Sequence, residues 1–207
     1  ACAALQEGVV DGSTTFTCGG EYHYLDMKFG CTDAHGSLNV EQALQHSCNI
    51  YFYNCARRLG IERMNMYGSM FGLGEKTGVE IPESRGILAG PEYRKKWDMV
   101  WNPGDTVQAA IGQSDNLFTP LQLCNYCATI ANGGKRYQMH FVKSRISRST
   151  GIVTETSANV VRNVDISPKN MAMVKTGMRK VATQGGPSEV FGRIDTKVAC
   201  KTGTSQV

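Results

Sequence analysis

The sequence lacks any apolar run approaching the roughly 18 residues that a membrane-spanning helix needs. No basic-then-apolar leader can be read at its start. Charge of one sign is never concentrated. The 22 basic and 18 acidic residues leave a net charge of +4, and the longest run is Arg94-Lys95-Lys96. So mild and scattered an excess excludes the basic stripe of a nucleic-acid-binding protein. Internal repeats and low-complexity segments are absent, which excludes solenoids and solvated tails. What is present is an ordinary globular composition, 41% hydrophobic and 19% charged, in a chain of 207 residues. That length supports one domain, or one and a half, with a genuine core.

The ends lack terminators. Ala1 to Val9 reads as the end of a helix entered halfway, with neither a cap nor a starting methionine. Lys197 to Val207 reads as a strand and its turn rather than a tail. We therefore expect a partial domain over residues 1–207, cut at both ends from a larger protein.

Cysteine is not scarce: eight stand at positions 2, 18, 31, 48, 55, 124, 127 and 200. Cys124 and Cys127 form a C-x-x-C pair, but no second pair or His-x-x-x-His completes four ligands, so the spacing argues against a metal site. These two cysteines lie in the apolar stripe of a helix and read as small buried hydrophobes. Cys18 and Cys31 flank a hairpin and could be bridged in an oxidising compartment. His23, His35, His46 and His140 read as packing or surface residues. No cofactor is called for.

Periodicity gives a helix-rich chain with scattered short strands. Asn39 with Gln42 three residues later makes a capping box, and the apolar face begun by Val40, Ala43 and Leu44 continues through Tyr51, Cys55 and Leu59 to a stop at Gly60. Further helices are expected over Glu62 to Phe71, around Asp105 to Ile111, from Thr119-Pro120 to Asn132-Gly133, and from Ser167-Pro168 to about Thr183. Short strands are expected at Thr14 to Thr17, in a hairpin over Glu21 to Phe29, at Phe141 to Ile146 and Ile152 to Thr156, and at Arg193 to Cys200. The Gly-, Pro- and Trp-rich stretch from Pro82 to Asp115 reads as long ordered loops, which are uncommon without a function.

Two short motifs carry chemistry. Ser47-Cys48-Asn49 places a hydroxyl and a carboxamide inside the helical region, where a core prefers neither. Lys201-Thr202-Gly203-Thr204 supplies a cation, two hydroxyls and a residue without a side chain. Together these make a seat for a carboxylate, and the Thr204 N–H is placed to meet a developing oxyanion. A Ser-x-x-Lys nucleophile would complete the set used by serine acyl-transferases that react with penicillin. No serine in the sequence stands three positions before a lysine.

With these motifs the sequence resembles the transpeptidase domain of class B penicillin-binding proteins, closest to the elongation type. The likeness runs through Phe16-Thr17-Cys18-Gly19-Gly20, His35-Gly36, Ser47-Cys48-Asn49, Phe71-Gly72-Leu73-Gly74, Trp101-Asn102-Pro103-Gly104-Asp105, Ile111-Gly112-Gln113, Thr119-Pro120-Leu121-Gln122, Ala131-Asn132-Gly133-Gly134 and Lys201 to Thr204. Ser114 departs from it, since the family usually has glycine there, as does Val181 to Gly186.

The resemblance implies an α+β fold in which an antiparallel sheet is flanked by helices beside a helical lobe, with this segment dominated by the lobe. It implies acyl transfer from D-Ala-D-Ala stem peptides and covalent inhibition by β-lactams. Ser47 would relay a proton, Asn49 would hold the substrate amide, and Lys201, Thr202, Gly203 and Thr204 would bind its terminal carboxylate. The nucleophile would lie before Ala1, leaving this piece inactive. Implied partners are peptidoglycan stem peptides, β-lactams and cell-wall elongation proteins, with no nucleic acid. The site of action would be the outer face of the cytoplasmic membrane, through an upstream anchor. A β-lactamase or D,D-carboxypeptidase, and a non-catalytic β-lactam sensor, are the alternatives.

Overall fold

The capping box at Asn39 forms as its residue types require: the Asn39 side chain accepts from the Gln42 N–H at 3.1 Å, and the Gln42 side chain accepts from the Asn39 N–H at 3.0 Å. It opens α2 (Val40–Gln45). The computed structural model describes residues 1–204 and divides them into two units.

The first unit holds residues 1–65, 89–116 and 166 onward. Its elements are α1 (Cys2–Gln6), β1 (Phe16–Cys18), β2 (Glu21–Tyr24), β3 (Met27–Gly30), β4 (Gly36–Leu38), α2 and α3 (Asn49–Leu59). The start of α4 (Ile61–Met70) follows, then α5 (Pro91–Lys95), α6 (Pro103–Ala109), α8 (Pro168–Gln184) and α9 (Ser188–Phe191). Strands β1 and β4 pair antiparallel, as do β2 and β3. Val40, Ala43 and Tyr51 are wholly buried, and Met171, Val174 and Val181 of α8 complete the apolar interior. Gly177 permits the close approach of α2 and α8. A Cβ added there would stand 2.7 Å from Leu44 Cδ1 and 2.9 Å from Leu44 Cβ.

The second unit holds residues 66–88 and 117–165, with α7 (Pro120–Ala131), β5 (Lys135–Tyr137), β6 (Ser144–Ile146), β7 (Val153–Glu155) and β8 (Val160–Asn163). Thr119 caps α7, Pro120 takes its first position and Gln122 closes the box. Strand β5 pairs with β8 and β6 with β7, both antiparallel. The buried Gln122 side chain donates to the carbonyls of Glu75 at 2.6 Å and Arg85 at 2.8 Å while accepting from the Thr119 N–H at 2.8 Å. Arg136, also buried, donates to Glu75 at 2.9 Å.

The mixed α+β architecture, with helix outweighing strand, is as expected. Two expectations need correction. No strand forms over Arg193 to Cys200. A strand needs a neighbour for its backbone groups, and this segment is held by helix α8 instead: Arg179 donates to the Val198 carbonyl at 2.6 Å, and the Cys200 N–H to the Met178 carbonyl at 3.1 Å. Cys124 and Cys127 are exposed, not buried, because α7 turns Gln122, Asn125, Thr129 and Ile130 inward. The end of the predicted turn, residues 205–207, lies outside the described residues.

Candidate active site

The helical region around Ser47 is broken, not continuous. Helix α2 stops at Gln45, and the Cys48 N–H donates to the Ala43 carbonyl at 2.9 Å while the Ser47 N–H donates to the Leu44 carbonyl at 3.2 Å. These two bonds are those of a Schellman ending, whose left-handed position is usually glycine. Here that position is Ser47, with φ of +53°. A side chain in the left-handed region costs about 1 kcal/mol, which is sustained where surrounding structure fixes it and a function uses it. The turn redirects the chain so that α3 can start at Asn49, and it carries the Ser47 hydroxyl out of both helices.

That hydroxyl meets the closing motif. Lys201 Nζ lies 2.6 Å from Ser47 Oγ and donates to it, and also donates to the Thr202 carbonyl at 2.9 Å. Ser47 Oγ and Thr202 Oγ1 are 3.2 Å apart. Lys201 as a residue is exposed, yet the protein crowding its ammonium lowers its pKa through desolvation, against an opposing pull from Cys200. An ammonium with reduced proton affinity beside a serine hydroxyl is suited to passing protons. Gly203 and Thr204 are exposed, and a Cβ added at Gly203 would meet nothing within 4 Å, so a ligand can approach the backbone there. The Thr204 carbonyl accepts from Gln113 Nε2 at 3.1 Å, a residue not singled out for the site from the sequence.

Asn49 begins α3, and its side-chain nitrogen donates to the Gly30 carbonyl at 3.2 Å. The structure thus brings Ser47, Lys201 and Thr202 into direct contact, while the Asn49 side chain bonds to the end of β3.

Between Ser47 and Asn49, Cys48 belongs to a second constellation. The ligand atoms of Cys18, Cys31, His35 and Cys48 all lie within 4.8 Å of one another. His35 Nδ1 is 3.5 Å from both Cys18 Sγ and Cys31 Sγ, and the Asn49 N–H donates to Cys31 Sγ at 3.2 Å. Burial pushes the Cys48 thiol up to about 12. Cys31 is also desolvated, but N–H donors from Ile50, Asn49 and Asp33 and the neighbouring Cys18 outweigh this and lower its pKa.

Three sulfurs and one imidazole are the donor set of a closed tetrahedral zinc site. The argument from spacing did not consider this grouping, nor did the reading of His35 as a packing residue. The donors come from the end of β1, the end of the β2–β3 hairpin, the start of β4 and the cap of α3, so no paired C-x-x-C spacing announces them. It also gives Cys18 and Cys31 a setting other than a simple bridge; all eight cysteines are free thiols.

The family model for the penicillin-binding protein transpeptidase domain matches residues 1–207, the whole chain. The chain belongs to that family. Among relatives, it is 30% identical over 213 residues to the peptidoglycan D,D-transpeptidase MrdA of Acinetobacter baumannii, covering 100% of this chain and 31% of that protein. It is also 30% identical over 218 residues to MrdA of Escherichia coli K12, covering 100% of this chain and 34% of that protein. A solved structure of Pseudomonas aeruginosa PBP2 in complex with WCK 5153 superposes with a TM-score of 0.87 at 29% identity, over 100% of this chain and 48% of that one. The PBP2–MreC complex from Helicobacter pylori gives a TM-score of 0.84 at 28% identity, over 99% of this chain and 37% of that one.

The transpeptidase-family segment described here thus spans about a third of the length of the curated relatives it matches. Both of these relatives are peptidoglycan D,D-transpeptidases by name, in keeping with the resemblance that the motif order carries.

Proposed function

We propose that the intact protein carrying this chain is a serine-type peptidoglycan D,D-transpeptidase that β-lactams inhibit covalently. The observation that supports it most is the 2.6 Å contact of Lys201 with Ser47, two residues 154 positions apart that the sequence singled out for the same site.

In this reading a Ser-x-x-Lys segment, which the 207 residues do not contain, supplies the nucleophile. The lysine of that segment takes the serine's hydroxyl proton as its oxygen forms an ester with the penultimate D-alanine carbonyl, and the C–N bond to the terminal D-alanine breaks. Ser47 passes a proton to the leaving amine, with Lys201 beside it. Lys201, Thr202 and Thr204 hold the terminal carboxylate across the open backbone at Gly203, and Asn49, oriented by its bond to Gly30, holds the substrate amide. The Thr204 N–H provides half of the oxyanion hole. A second stem peptide's amine then takes the acyl group.

Its binding partners are stem peptides and β-lactams. Cell-wall elongation proteins are further partners, in keeping with the Helicobacter pylori relative solved with MreC. Among the described residues no helix is long and apolar enough to cross a membrane, and we place the protein at the outer face of the cytoplasmic membrane through an anchor elsewhere in its chain. Cys18, Cys31, His35 and Cys48 would hold zinc, which would supply a structural crosslink pinning the segment between Ser47 and Asn49. Elemental analysis of the intact protein should find one zinc per chain, lost on Cys18→Ser with Cys31→Ser.

Fluorescent penicillin tests the main reading. It should label the intact protein covalently and leave the 207-residue chain unlabelled. Labelling of the short chain would overturn the assignment of the nucleophile. Failure to label the intact protein would overturn the transpeptidase reading, and rapid turnover of penicillin would move it to a β-lactamase.

A further inference from the structure

The Ile111-Gly112-Gln113 stretch has no part in the chemistry above, yet the structure fixes it with unusual thoroughness. Gln113 stands between two left-handed residues, Gly112 at φ of +81° and Ser114 at φ of +65°. Glycine adopts that conformation freely; serine does not. The Ser114 hydroxyl is buried and has no hydrogen-bond partner, which adds a second unfavourable feature to the same turn. Strained, over-determined backbone of this kind persists where surrounding bonds enforce it.

Those bonds come from both sides. The Gln113 N–H donates to the Gln108 carbonyl at 3.1 Å, returning the chain onto α6. Asn116 Nδ2 donates to the Gln113 carbonyl at 3.0 Å and the Ala109 carbonyl at 3.2 Å, while Asn116 Oδ1 accepts from the Ala89 N–H at 3.0 Å. Next to it, Asp115 accepts from Arg94 Nε at 2.6 Å, and the same guanidinium grips Asp105 at 2.6 and 3.0 Å and lies over the Trp101 ring. Arg94 is almost buried, so this pairing is well shielded from water. The turn is thus anchored to α5, to α6 and to the backbone at Ala89.

What it presents is the Gln113 carboxamide, whose Nε2 donates to the Thr204 carbonyl at 3.1 Å. Upstream, the last bonds that hold the backbone of this segment to α8 are at Val198 and Cys200. Thr204, four residues beyond Cys200, takes its outside bond from Gln113.

We propose that Gln113 is a positioning residue for Thr204, aiming the N–H that meets the oxyanion; this rests on the transpeptidase reading above. The bond holds the Thr204 carbonyl, and because that residue's N–H is separated from its carbonyl only by its own φ and ψ, a fixed carbonyl narrows the directions in which the N–H can point. An oxyanion donor acts only when it is already aimed, and a displacement of about 1 Å can cost a factor of a hundred in rate. The Ser114 strain is then the consequence of holding Gln113 forward.

The experiment uses the intact protein and fluorescent penicillin, separating the acylation rate constant from the affinity of the initial complex. Gln113→Met keeps the length of the side chain but removes the donor; Gln113→Glu keeps the shape and sets an acceptor against a carbonyl. Both should slow acylation by about ten- to a hundredfold, with initial affinity changed less than about threefold and the melting temperature unaltered. Gln113→Glu should recover as its carboxyl is protonated at low pH and regains a donor, relative to wild type at the same pH. Acylation within twofold of wild type in both variants overturns the proposal. So does a loss that falls on affinity, or one that tracks a lowered melting temperature in both. If wild type itself is not acylated, it is the transpeptidase reading that falls.

Discussion

The two units bury different kinds of side chain. Thr77, Gln122, Asn125, Thr129 and Arg136, the five buried polar or charged residues among the described ones, all belong to the second unit. Most of the buried apolar residues belong to the first, where Val40, Ala43, Ile50, Tyr51, Val107 and Val181 make a close-packed interior. An apolar interior tolerates small losses of contact, since each methylene contributes on the order of 1 kcal/mol. A buried carboxamide that serves three backbone groups does not, because removing it strands each of them. The unit with the site therefore rests on many small terms, and the other on a few large ones.

The sharpest way to break this contrast is Gln122→Leu. It strands the carbonyls of Glu75 and Arg85 and the Thr119 N–H, and should destabilise the second unit by roughly 3–5 kcal/mol, read as faster hydrogen exchange confined to residues 66–88 and 117–165. If exchange is unchanged, the buried network is not what holds that unit. In the first unit Gly177→Ala should cost about 2 kcal/mol in a urea titration, because the new methyl forces α2 and α8 apart despite alanine's better helix propensity. Stabilisation instead would show that Leu44 can move aside.

Tyr51→Phe should cost only about 1 kcal/mol in the same titration, since it deletes one 3.3 Å bond to the Thr14 carbonyl and leaves the packing against Phe16 in place. The smallest effect belongs to Asp11. Bonds from the Thr14 and Ser13 hydroxyls and N–H groups hold its carboxyl down at about 2. Because the folded value lies below the unfolded one, its contribution is present above about pH 4 and is lost as pH falls through about 2. Asp11 is fully exposed, so solvent screens the effect, and Asp11→Asn should shift the neutral-pH stability only slightly and the stability at pH 2 even less.

The contrast also explains what was legible in the sequence. Helices with apolar periodicity and side-chain caps, at Asn39, Thr119 and Ser167, are placed within a few residues, because those signals are local. The break at Ser47 was not, since a serine in a glycine position of a Schellman ending is chosen by what it must touch. Cys124 and Cys127 were misread because the inward face of α7 is built of Gln122, Asn125 and Thr129, which a hydrophobic pattern counts as surface. The Arg193 to Cys200 strand was misread because strand formation depends on a neighbour, which β-propensity does not report.

By itself the sequence determined the family, the helical frame and the two motifs that converge on the site, because residue type and spacing carry those. Tertiary structure alone decided that Lys201 reaches Ser47, that four scattered donors surround one point next to it, and that Gln113 holds Thr204. Each of these depends on a distance between residues far apart in the chain, and only the packing of the elements between them sets that distance.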